Sequence, residues 1–128
     1  MIKQRKQSGR KLDIYYYSIT GNTRSFAERF THLSNVYRIP ISENYPTQEF
    51  IVFTPTYNFG EVPAPVSRFL EKYSEYLVGV VAFGNRNWGG YYAKAGELIA
   101  KKFNVPLLKR IELRGTDKDY EFIKGLLS

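Results

Sequence analysis

The chain has 128 residues, 43% hydrophobic and 16% aromatic, with a formal net charge of +7, no cysteine and one histidine, His32. That length and composition describe a globular domain able to bury an ordinary core, not a disordered chain. Disulfides, thiolate metal sites and thiol redox chemistry are excluded, and a lone histidine leaves almost nothing for a histidine metal centre or a Ser-His-Asp triad. Any redox or group-transfer chemistry must therefore be carried by a bound cofactor.

The charge is concentrated at one end. Lys3, Arg5, Lys6, Arg10 and Lys11 lie in the first eleven residues with no acid among them, which leaves a formal +2 for the rest. Residues 1–10 are expected to form a basic, flexible tail, and residues 11–128 a single domain. No run reaches the ~18 apolar residues of a membrane span, and no apolar stretch follows the basic start in signal-peptide fashion. The chain is read as cytoplasmic, with no membrane partner. A nucleic-acid role is disfavoured, because the body lacks a basic stripe with interleaved aromatics.

In chain order, KLDIYYY (11–17) is rich in β-formers and runs into SITGNT (18–23). RSFAERFTHL places Phe26, Ala27, Phe30 and Leu33 on one helical face. NVYRIPI (35–41) reads as a short strand weakened by Pro40, and EFIVFTP (49–55) as a strand buried on both faces. PAPVSRFLEKYSEYL opens with prolines suited to a first helical turn and repeats Val66, Phe69, Leu70 and Tyr73 at helical spacing. LVGVVAFGN (77–85) is another buried strand, and GYYAKAGELIAKKF a helix with Ala95, Leu98, Ile99 and Phe103 inward. PLLKRIEL (106–113) is the last strand, and DKDYEFIKGLL a closing helix capped by Thr116 or Asp117.

Strands alternating with helices imply an α/β fold: a doubly wound five-stranded parallel sheet of order 2-1-3-4-5 with helices on both faces. That topology binds ligands beyond the carboxyl ends of strands one, three and four. There the sequence places SITGNT, TPTYNFGEVP and GNRNWGG. In SITGNT, outward backbone amides meet the positive end of a helix dipole, which suits a phosphate. Ser18, Thr20 and Thr23 add hydroxyls, Gly21 allows close approach, and Asn22 accepts a left-handed turn; Ile19 completes the loop. It is neither a Walker loop nor a dinucleotide fingerprint, and a plainly capped helix start is the alternative reading. Tyr57 and Phe59 in the second loop, and Trp88 between asparagines and glycines in the third, offer a slot for a flat heteroaromatic ring. Ordinary packing against a neighbouring loop is the alternative for Trp88. His32 has no partner motif and reads as structural. A phosphate loop with two flat-ring loops describes an FMN site.

SITGNT matches the phosphate loop of flavodoxins, usually Ser/Thr-x-Thr-Gly-x-Thr. GNRNWG, followed by AGELIAKKFNVP and ELRGTDKD, together with FGEVP and VSRFLE, resembles the NrdI flavodoxins that accompany class Ib ribonucleotide reductase. The resemblance runs from about Lys11 to near the C-terminus. It implies noncovalent FMN, with Ser18, Ile19, Thr20, Gly21, Asn22 and Thr23 at the phosphate. Thr56, Tyr57, Asn58, Phe59 and Gly60 would lie beside the flavin N5 edge. Gly84, Asn85, Asn87, Trp88 and Gly89 would lie on the pyrimidine side, with Trp88 and either Tyr57 or Phe59 on the ring. A redox-linked peptide flip is expected at Asn58-Phe59-Gly60. The implied role is that of a redox accessory protein: it takes electrons from a flavodoxin or flavin reductase and reduces oxygen to superoxide. The superoxide goes to the reductase small subunit for assembly of its dimanganese–tyrosyl radical cofactor. The rival readings are a short electron-transfer flavodoxin serving another acceptor and a binding module acting through the tail. A phosphorylation receiver is dismissed because its acidic cluster is absent.

Overall fold

The computed structural model describes residues 12–127; the basic segment 1–10 lies outside them. Chain order is β1 (Asp13–Tyr16), α1 (Asn22–Ala27), β2 (Val36–Arg38), β3 (Phe50–Pro55), α2 (Ala64–Tyr73), β4 (Leu77–Gly84), α3 (Lys94–Phe103), β5 (Leu107–Glu112) and α4 (Asp117–Leu127). The strands form one sheet in the order β2-β1-β3-β4-β5, as the alternation of elements predicts. Every pairing is parallel, with Ile14 opposite Ile51 and Val52 opposite Val80.

Strand alternation divides the core into two layers. Ile14 and Tyr16 of β1 point to the face covered by α1 and α4, where they join Phe26, Phe30, Phe53, Phe83, Ile111 and Ile123. Tyr15 points the other way, to α2 and α3, among Phe50, Val52, Phe69, Leu70 and Ile99. Phe26 is the hub of the first layer, with ring centroids 5.3 Å from Phe30, 6.0 Å from Phe53 and 5.6 Å from Phe83. Full burial of each such side chain contributes about 1.5–3 kcal/mol. The two central strands, β3 and β4, are buried almost throughout, which is why they read as unbroken apolar runs.

Local departures from the expected elements have local causes. β2 ends at Arg38, and the Ile39–Pro40 peptide that follows is cis. The first helix begins at Asn22 and tightens to a 3-10 turn over Glu28–Phe30. The helix expected from residue 90 begins only at Lys94, because Gly89 (φ 59°) and Ala93 (φ 52°) interrupt the helical path. Leu98 is a correction: it is 42% exposed, whereas Ala95, Gly96 and Ile99 face the sheet. At 100° per residue, a stripe centred on those three leaves Leu98 well off to one side. Gly96 lets the helix sit close, since a Cβ there would stand 2.6 Å from both Ala82 Cβ and Leu107 Cδ1. Thr116, one of the two expected caps, closes α4 in a capping box: the Asp119 amide donates to its hydroxyl (3.2 Å) and its own amide donates to the Asp119 carboxylate (2.9 Å).

Candidate functional site

The parallel sheet carries the ends of β1, β3 and β4 to one edge, and their three loops enclose a cleft of about 460 Å³. The first loop contributes Ile19, Thr20, Asn22 and Thr23 to its lining, the second Thr56, Tyr57 and Asn58, and the third Gly84, Asn85 and Trp88.

The first loop folds around Ser18. That side chain is buried, and its hydroxyl accepts from the Gly21 amide (3.0 Å) and the Arg24 amide (3.3 Å). Gly21 stands at φ 98°, in the left-handed region, and turns the chain into α1. The amides of Asn22 and Thr23 open the helix and find no acceptor among the described residues, the usual fate of first-turn donors. Ser18 and Gly21 thus shape the loop, while Thr20, Asn22 and Thr23 face the cleft. Arg24 turns away to Glu28 (2.9 Å), which holds its guanidinium firmly charged. An anion here is met by neutral donors.

The second loop is a three-residue turn. Tyr57 and Glu61 exchange backbone hydrogen bonds of 2.8 and 2.7 Å, leaving Asn58, Phe59 and Gly60 at the tip. Asn58 (φ 48°) and Gly60 (φ 97°) are both left-handed. Phe59 is 70% exposed and lies outside the cleft, edge-on to Trp88 (5.9 Å) and Tyr91 (5.8 Å). Gly60 is set back against α3, where a Cβ would come within 2.9 Å of Lys94 Cγ. Thr56 spends its oxygen on the Ala95 amide (3.3 Å), which ties this loop to the first turn of α3.

In the third loop the Asn85 side chain accepts from the Asn87 amide (2.8 Å), and the Trp88 amide donates to the Asn85 carbonyl (3.0 Å). Asn87 and Gly89 lie on the outer side of this turn, away from the lining. Gly84 is a close-approach position, since a Cβ there would stand 2.7 Å from the Ala93 nitrogen.

Sequence reasoning missed Pro55, Phe83, Tyr91 and Leu113, all of which line the cleft. Leu113 follows β5 and is drawn in because its amide donates to the Gly84 carbonyl (2.9 Å). An apolar residue between charged neighbours, just past a strand end, was the available signal. His32 is exposed, on the α1 side, with Nε2 3.5 Å from the Tyr120 hydroxyl and away from the cleft.

Among the described residues, no lysine, arginine or carboxylate lines the cleft. Ile19, Tyr57, Trp88, Tyr91 and Leu113 all line it and are each 47–48% exposed, which gathers half of the large apolar side chains left exposed among the described residues into one cleft. Open amides in the first loop and half-exposed rings in the second and third fit a flat heteroaromatic group that carries an anionic arm.

Solved structures share this fold. Oxidised flavodoxin 1 from Bacillus cereus is similar at 17% identity, over 88% of this chain and 97% of that one, with a TM-score of 0.68. A short-chain flavodoxin associated with a non-canonical PDU bacterial microcompartment is 19% identical over 89% of this chain and 91% of its own, with a TM-score of 0.65. Fusobacterium nucleatum flavodoxin bound to flavin mononucleotide is 19% identical over 80% of this chain and 69% of its own, with a TM-score of 0.56. These likenesses are of fold. The family model for NrdI flavodoxin-like proteins matches residues 14–125, which takes in all three loops and all five strands but for Asp13 at the start of β1, and the chain belongs to the NrdI flavodoxin-like family.

Proposed function

We propose that the cleft binds FMN and that the protein is a redox accessory of class Ib ribonucleotide reductase. In this reading it reduces oxygen to superoxide and supplies it to the reductase small subunit, for assembly of the dimanganese–tyrosyl radical cofactor. The single observation that carries the reading is a cleft lined by half-exposed apolar side chains and by Asn22 and Thr23, whose amides are unpaired among the described residues.

Bound FMN supplies one- and two-electron chemistry, including the reduction of oxygen. The residues of the chain do the rest. The Asn22 and Thr23 amides, with the hydroxyls of Thr20 and Thr23, would hold the phosphate without a cation. Trp88 and Tyr57, both in the lining, would cover the ring and keep water from its faces. The tip Asn58-Phe59-Gly60 would offer a peptide beside the bound ring, able to present either its carbonyl or its amide. Both flanks of Phe59 already occupy left-handed backbone, which asparagine and glycine tolerate better than other residues. A separate flavodoxin or flavin reductase supplies the electrons, in the cytoplasm.

An anaerobic reductive titration in the visible range, followed by oxygenation with the manganese-loaded small subunit, tests this. The expected result is bound FMN that passes to its fully reduced form in one two-electron step and a tyrosyl radical that forms on oxygenation. Failure to bind FMN overturns the cleft assignment. A long-lived one-electron form without radical assembly replaces the accessory role with that of an electron carrier.

A further inference from the structure

Beside the aromatic cleft lies a second hollow of about 730 Å³, at the carboxyl end of β5 and the start of α4. Asn22 and Leu113 line both spaces, so the two adjoin. Their chemistry differs sharply. Among the described residues, the first has no charged lining residue, whereas the second has five cations, Arg86, Lys109, Arg110, Arg114 and Lys118, against two acids, Glu112 and Asp119. Three of the cations are paired: Arg86 with Glu112 (3.5 Å), Lys109 with Asp119 (3.6 Å) and Arg110 with Glu97 (2.6 Å). Arg114 and Lys118 are exposed and have no carboxylate partner among the described residues.

The arrangement favours carboxylates on an extended chain over a compact phosphate. β5 is the edge of the sheet, and consecutive residues on it point to opposite faces. Lys109 accordingly reaches α4 while Arg110 reaches Glu97 of α3, so the cations wrap around an edge instead of converging on a point. The nearby start of α4 offers little to a phosphate. Its capping box engages the Thr116 and Asp119 amides, and Asp117 and Asp119 already occupy the positive end of the dipole. What remains is side-chain charge, with arginine forks matched to carboxylates.

We infer that this hollow is the docking site for an extended, acidic segment of a protein partner. Seated there, the segment brings the partner's surface over the exposed Leu113 and Trp88, at the mouth of the cleft. That the partner is a redox partner rests on the FMN reading above; the charge recognition does not.

The test uses the full chain loaded with FMN and a fluorescein-labelled decaglutamate peptide, read by anisotropy. Affinity is expected to fall about tenfold between about 50 mM and about 200 mM salt, as exposed charge pairs are screened. Arg114→Glu/Lys118→Glu should weaken binding by a further factor of about ten, while FMN binding stays unchanged. Lys72→Glu/Lys101→Glu, an equal charge change on the exposed faces of α2 and α3, should have little effect. Undetectable peptide binding, or equal losses in both double variants, overturns the site. So does a ten-nucleotide oligothymidylate that binds more tightly than the peptide, or pyrophosphate that displaces the peptide more effectively than free oligoglutamate. Absence of FMN binding by the unsubstituted chain would retire the flavin reading and leave the peptide result intact.

Discussion

The hydroxyl oxygen of Thr56 accepts a hydrogen bond from the Ala95 amide at 3.3 Å, so the turn after β3 also caps the start of α3. α3 has no side-chain cap of its own, because Ala93 stands at the N-cap position. One side chain therefore orients the tip at residues 58–60 and completes a helix terminus. Thr56→Val should loosen the tip and weaken FMN binding about fivefold, the value of one hydrogen bond near 1 kcal/mol. Thr56→Ser should restore it, and quenching of flavin fluorescence on binding measures both.

Trp88 separates binding from folding. It is 48% exposed, so Trp88→Ala should change unfolding free energy by less than about 0.5 kcal/mol. FMN affinity should fall about tenfold or more as a ring face is uncovered. Urea unfolding of the FMN-free protein and a flavin titration give the two numbers.

Gly60 has two reasons to be glycine. Its φ is 97°, and a Cβ would stand 2.9 Å from Lys94 Cγ. Gly60→Ala should cost about 1–3 kcal/mol of stability. Gly60→Ala/Lys94→Ala removes the closest contact but keeps the backbone strain, so only part of the loss should return in chemical denaturation.

Tyr15 predicts an alkaline limit. It is 1% exposed and donates to the Asn44 carbonyl, and burial, followed by the charge of Asp13, raises its phenol well above the ordinary value. The folded state thus holds this proton more tightly than the unfolded chain. Its contribution is complete below the unfolded value of about 10 and is lost as pH rises beyond it, at up to about 1.4 kcal/mol per pH unit. Tyr15→Phe should flatten the stability profile above that point while lowering it at neutral pH.

Much of this was legible in the sequence because the relevant signals are local. Phe50–Pro55 and Leu77–Gly84 read as double-sided strands since both faces are covered. The three loops could be placed together because parallel topology leaves their strands no other edge. What escaped depends on contacts between distant segments. Leu113 enters the cleft through its bond to the Gly84 carbonyl, and Tyr91 through a helix start delayed to Lys94. Leu98 was misplaced because helical spacing ranks positions by hydrophobicity and passes over Gly96, the residue the sheet approaches most closely.

The tight seat of Gly84 against the Ala93 backbone has a consequence for how this protein can be altered. At Gly84 the cleft wall is backbone against backbone and admits no side chain. Changes in ligand preference or potential must therefore be written at the tips, where Asn58, Phe59 and Trp88 project from turns closed by their own hydrogen bonds. The 57–61 turn, pinned at both ends by the Tyr57–Glu61 pair, is a removable cassette. A turn of equal length from another flavodoxin can be exchanged there, leaving the floor and both core layers as they are.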